Sequence, residues 1–170
     1  HVVVVALVRE LGPLLTAFIV VWRSGTAMCT ELGNMKVGQE IDALEAMGIS
    51  AVRFLVMPRM VGAVVAIMCL TVYFDLVAVI GGFLVAKVAL TIPFLAYMTE
   101  IEKALSITDV LITVVKSALF GFAIALICCH HGLSVVGSTT EVPQQNARAM
   151  LSTVAACLIL DIVVSVSFYV

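Results

Sequence analysis

The stretch Met60–Ala86, MVGAVVAIMCLTVYFDLVAVIGGFLVA, decides the fold. Its one charge is Asp75, and a helix needs ~20 mostly apolar residues to cross a bilayer. Three more stretches read the same way: Val2–Ala27, interrupted by Arg9-Glu10, Gly12-Pro13 and Arg23; Val110–Cys129, carrying Lys116; and Met150–Val170, carrying Asp161. The runs are continuous and do not alternate over ~10-residue units, so they predict helices, not barrel strands. The expected fold is an all-α polytopic membrane protein with four transmembrane helices.

Composition agrees. The chain has 170 residues, 63% hydrophobic and 12% charged, with mean hydropathy +1.22. Soluble domains are roughly 45–50% apolar and about 25% charged. A soluble fold of this size would leave too much apolar surface in water. A net charge of −2 supplies no basic field for nucleic acid. The five cysteines, Cys29, Cys69, Cys128, Cys129 and Cys157, lie in or beside apolar runs and read as free thiols. The chain opens at His1 without a methionine, a basic leader or a cleavage site, so an upstream part is expected.

The connections are Glu31–Arg59, Lys87–Asp109 and His130–Arg148. Four spans put the first and third on one side. Arg23, Lys36, Arg53, Arg59 and Arg148 give that side five cations, against two, Lys87 and Lys103, on the other. The positive-inside rule makes the first and third loops cytoplasmic. In the first loop, residues 38–48, GQEIDALEAMG, form a short helical candidate bracketed by glycines. Ile41, Leu44 and Met47 make one apolar edge, with Glu40, Asp42 and Glu45 around the rest. Interfacial helices usually carry Lys/Arg on the polar face. An acidic one is better suited to a basic groove on a protein.

These residues carry a family resemblance. RSGTAMCTELG (Arg23–Gly33), MKVGQEIDALEAMG (Met35–Gly48) and LVMPR (Leu55–Arg59) resemble the MlaE/YrbE-type permeases, as do RELGP (Arg9–Pro13) and GSTTEVPQQNARAML (Gly137–Leu151). The family's E-Q-x-D-A-L appears here with its first two residues exchanged, Gln39-Glu40. The resemblance implies the membrane subunit of an ABC transporter in a bacterial inner membrane, moving phospholipid to or from a periplasmic MCE-domain partner. It implies a dimer of two such chains, and a longer family chain of which this is the last four of about five spans. The loop helix becomes a coupling helix, with Gln39, Glu40, Asp42 and Leu44 touching a cytoplasmic ATPase. The sequence has no G-x-x-x-x-G-K-[ST] loop. ATP and magnesium therefore belong on that partner; no cofactor is expected on this chain, and it is read as a transport subunit, not an enzyme.

Charges at bilayer depth cost about 2.5–3.5 kcal/mol and usually face a cavity or a partner. By the resemblance, Arg9 and Glu10 line a lipid pocket between two copies; a charge pair at the membrane interface is the plainer reading. Arg23 is expected to pair with Glu31 as a structural contact. Asp75 and Lys116 are expected to pair within the membrane, with Asp161 a third structural charge. The sharper alternative is an ion- or proton-coupled secondary transporter using Asp75, Lys116 and Asp161, although no inverted repeat supports it. A non-transporting scaffold ranks last. Cys128-Cys129-His130-His131 radiate from a helix and do not read as a metal site.

Overall fold

The computed structural model describes residues 11–90, 97, 99, 107–135, 138 and 140–169. Those residues are helical apart from short connections. The elements are α1 (Gly12–Val20), a π-helical turn (Val21–Gly25), α2 (Thr26–Val37), α3 (Glu40–Ala46), a second π-helical turn (Val52–Val56), α4 (Met57–Leu90), α5 (Ile107–Leu133) and α6 (Glu141–Tyr169). Helices satisfy every backbone donor and acceptor within the segment, which lipid cannot do. Three helices, Val52–Leu84, Val110–Leu133 and Glu141–Ser167, are long and apolar enough to cross a membrane. The fourth expected span falls partly on residues 1–10, outside the described residues; its described part continues as helix from Gly12 to Val37. The protein is a multi-pass membrane protein.

Helix ends depart from the apolar limits. The first helix continues past Ala27 to Val37, α4 past Ala86 to Leu90, and α5 past Cys129 to Leu133. At its start, α6 likewise begins at Glu141 and not near Met150. Apolar length records the hydrocarbon thickness, whereas helices run on into polar surroundings. Pro143 is compatible with α6 because the first turn needs no backbone N–H from it, and Glu141 suits the positive end of the helix. Pro13 likewise sits at the start of α1, and Thr16 Oγ1 donates to the Gly12 carbonyl at 2.7 Å. The loop around Pro93–Leu105 lies outside the described residues except Tyr97 and Thr99. Tyr97 donates its hydroxyl to the Val79 carbonyl of α4 at 3.0 Å.

The α5 helix is central. Of its most apolar stretch 44% is buried, against 17% for Val52–Leu84 and 22% for Glu141–Ser167. Phe120, Ile124 and Cys128 of α5 meet Ala17 and Val20 of α1, Cys29 of α2, Ile67 of α4 and Cys157 of α6. Two glycines allow the close approaches. A Cβ on Gly121 would lie 2.7 Å from Val64 Cα, and one on Gly132 would lie 2.9 Å from the Cys29 carbonyl oxygen. In the Gly81-Gly82 pair of α4, a Cβ on Gly82 would lie 2.7 Å from the Tyr97 hydroxyl, whereas one on Gly81 would meet nothing within 4 Å. Four cysteines are buried, Cys69 is exposed, and all five are free. Trp22, Tyr73, Ile80, Leu151 and Ile162 are exposed, as an apolar solvent allows.

Candidate functional site: the loop helix, its cleft and the membrane charges

The loop helix is built by its two ends. The α2 helix stops when Gly38 N–H donates to the Asn34 carbonyl at 2.8 Å. Gln39 then takes a left-handed conformation, φ 59°, which reverses the chain immediately before Glu40. At the other end Gly48 has φ 77°. Its N–H donates to the Glu45 carbonyl at 2.9 Å, and Ile49 N–H donates to the Leu44 carbonyl at 3.0 Å. That pair of bonds is the Schellman closure, and glycine is the residue that adopts it without strain.

The expected helix over 38–48 is thus realised as seven residues, Glu40–Ala46. Glu40 and Asp42 lie in its first turn, where carboxylates complement the helix dipole. Ile41 is buried and anchors the helix; Leu44 is half-buried and Met47 exposed, so the apolar edge is engaged mainly at its first residue. Gln39, Glu40, Asp42 and Glu45 face outward. Asp42 accepts from Lys36 Nζ at 2.7 Å, a clasp across the turn that the sequence reading missed. That hydrogen bond to the carboxylate, more than burial opposes it, holds the Lys36 ammonium above its ordinary pKa.

Beside this loop, a cleft of about 400 Å³ opens between the first helix and α4, lined by Arg23, Ser24, Ala27, Met28, Glu31 and Arg59. Arg23 is brought there by the π-helical turn. It does not pair with Glu31 as expected: Glu31 accepts from Arg59 Nη2 at 3.1 Å. Glu31 and Arg23 share a helix face, yet Arg59 reaches the carboxylate from the neighbouring helix, a contact no local spacing records.

The charges within the spans are also re-paired. Lys116, 1% exposed, lies 2.7 Å from Asp161 Oδ1, and its Nζ donates to Ser165 Oγ at 3.1 Å. The expected partner, Asp75, stands apart, with a buried Oδ1 that has no hydrogen-bond partner among the described residues. The face that α5 turns to α6 is set by packing, and Asp161 with Ser165 four residues on lies along it. Arg9 and Glu10 lie outside the described residues. In the Cys-Cys-His-His run the side chains diverge. Cys128 Sγ is 3.7 Å from Thr153 Oγ1, while the His131 ring lies 3.5 Å from Gln145 Oε1 and 3.2 Å from Ser152 Oγ.

Comparisons with known proteins bear on this arrangement. The family model described as Permease MlaE matches residues 1–167. A probable ABC transporter permease protein of Rickettsia typhi is 38% identical over 131 residues, 77% of this chain and 51% of that protein. One from Rickettsia prowazekii is 32% identical over 168 residues, 99% of this chain and 65% of that protein. The chloroplastic protein TRIGALACTOSYLDIACYLGLYCEROL 1 of Arabidopsis thaliana is 29% identical over 168 residues, 99% of this chain and 48% of that protein. The chain therefore spans between about half and two thirds of the length of these relatives. With the family model matched along nearly the whole sequence, and with the helical, multi-pass architecture above, the chain belongs to the MlaE permease family.

Proposed function

We propose that this chain is the membrane-spanning part of an ABC transporter permease subunit that moves phospholipid between a bacterial inner membrane and a periplasmic MCE-domain protein. The match to the permease family over residues 1–167 carries the reading. The relatives named probable ABC transporter permeases support it, and the glycerolipid in the name of the Arabidopsis relative supports a lipid substrate. ATP hydrolysis belongs to a separate cytoplasmic ATPase, and the chain acts as a transport component. Two copies facing each other supply a cavity tall enough for two acyl chains. Arg9, with Glu10 beside it, takes the phosphate headgroup, because a guanidinium pairs with phosphate in a bidentate way.

In this reading Gln39, Glu40, Asp42 and Leu44 dock into the ATPase. The support is the shape of the loop: a rigidly ended acidic helix, held to the body through Ile41, with its carboxylates outward. Packed helices have discrete arrangements, so a small displacement of α3 can be amplified into the spans. The mutual pairing of Lys116 and Asp161 favours a structural role for those charges over proton-coupled transport. The test is co-purification of the complete protein with its ATPase. Asp42→Lys abolishes the association if α3 docks as proposed; undiminished co-purification contradicts it.

A further inference from the structure

We infer that the cleft lined by Arg23, Ser24, Glu31 and Arg59 is a binding site for a phosphate group, presented by a phospholipid headgroup or by a free phosphate ion. The inference goes beyond the transport reading, since it concerns a different place from Arg9 and Glu10 and equilibrium binding without turnover.

Residues 23, 24, 27, 28 and 31 recur three and four positions apart, so one face of the first helix forms one wall. Arg59, in the first turn of α4, forms the other. Two guanidiniums and one carboxylate leave the cleft with a net charge of +1, which suits a phosphodiester monoanion. The hydrogen-bonding capacity is also unfilled. Glu31 occupies Arg59 Nη2, while Nη1 is buried with no hydrogen-bond partner among the described residues. Arg23 makes no ion pair among the described residues. A guanidinium donor left unpaired away from water is costly. Rotation of the Arg59 guanidinium toward the cleft lets a phosphate oxygen satisfy Nη1, with the other oxygens toward Arg23. Ala27 and Met28 supply an apolar floor. The single tryptophan of the sequence, Trp22, is 71% exposed beside Arg23. Tryptophan favours the headgroup level of a bilayer, so the cleft opens where lipid phosphates lie.

The experiment is a binding titration on the complete protein in detergent, without ATPase and with Arg9→Gln in every variant so that the other headgroup site is silent. The probes are a short-chain phosphatidylglycerol followed by native mass spectrometry, and radiolabelled inorganic phosphate followed by equilibrium dialysis. Arg23→Gln weakens phosphate-group binding about tenfold, the worth of one charge-assisted hydrogen bond. Glu31→Gln strengthens it about threefold by removing the competing carboxylate. Opposite shifts exclude a mere loss of folding, which would weaken both. Phosphatidylglycerol binding that excess inorganic phosphate does not displace identifies the headgroup as the source; equal displacement identifies the free ion. Binding unchanged in Arg23→Gln, or weakened in Glu31→Gln, overturns the inference. Because no ATPase is present, failure here is separable from failure of the coupling reading.

Discussion

Lys116 on α5 and Asp161 on α6 stand 2.7 Å apart, and Ser165, one turn beyond Asp161, takes a hydrogen bond from the same ammonium. The pair locks the central helix to the last one at a depth where neither charge is tolerated alone. Removing one partner of a buried ion pair costs about 3–5 kcal/mol, because the other charge stays behind. Lys116→Met therefore lowers the thermal unfolding midpoint in detergent steeply. Lys116→Met combined with Asp161→Leu restores most of it. An equally unstable double variant contradicts the pairing.

Gly121 and Gly81 make a contrasting pair on α5 and α4. A methyl group at 121 collides with the Val64 backbone, whereas at 81 it meets open space. Gly121→Ala is expected to destabilise by about 1–3 kcal/mol through forced separation of the two helices. Gly81→Ala is expected to be neutral or stabilising, since alanine is the better helix former. Thermal unfolding of both variants in the same detergent checks the difference.

The end of α3 depends on backbone conformation alone, as no atom crowds Gly48. Gly48→Ala forces a side chain into the left-handed region at a cost of about 1 kcal/mol. The local helix should open more often while the bundle stays intact. Hydrogen exchange reports this as faster exchange at Gly48 and Ile49, with α5 unaffected.

The Lys36–Asp42 clasp has a defined pH window. The lysine is held above its ordinary pKa of 10.5 by the bond to Asp42. Its contribution to the folded loop is complete below 10.5 and is lost as pH rises through the higher folded value. A carbon-13 titration of Lys36 Cε should give a midpoint above 10.5, and a lower one in Asp42→Asn. The contact is solvent-exposed, so added salt weakens it.

How far the sequence could be read follows from what each signal measures. Apolar length located the spans Met60–Ala86 and Val110–Cys129 within helices that run longer, and the span from Met150 within a helix that starts earlier, at Glu141. It could not mark the helix ends, because α6 begins on Glu141, whose polarity reads as loop. The bracketing glycines located α3, and Gly48 explains its end. Partners were the least legible feature. Asp75 and Asp161 look equivalent as single carboxylates in apolar runs, yet the packing of α6 on α5 brings only Asp161 to Lys116. Arg59 likewise takes Glu31 from across a helix interface, where local spacing suggested Arg23.

As proposed above, this chain serves as the membrane subunit of an ATP-driven lipid transporter. The decisive measurement is native mass spectrometry of the complete protein, gently extracted from its own membrane. The expected result is an assembly with two copies of this chain, two of an ATPase, an MCE-domain partner and retained phospholipid. A lone chain without ATPase or lipid contradicts it.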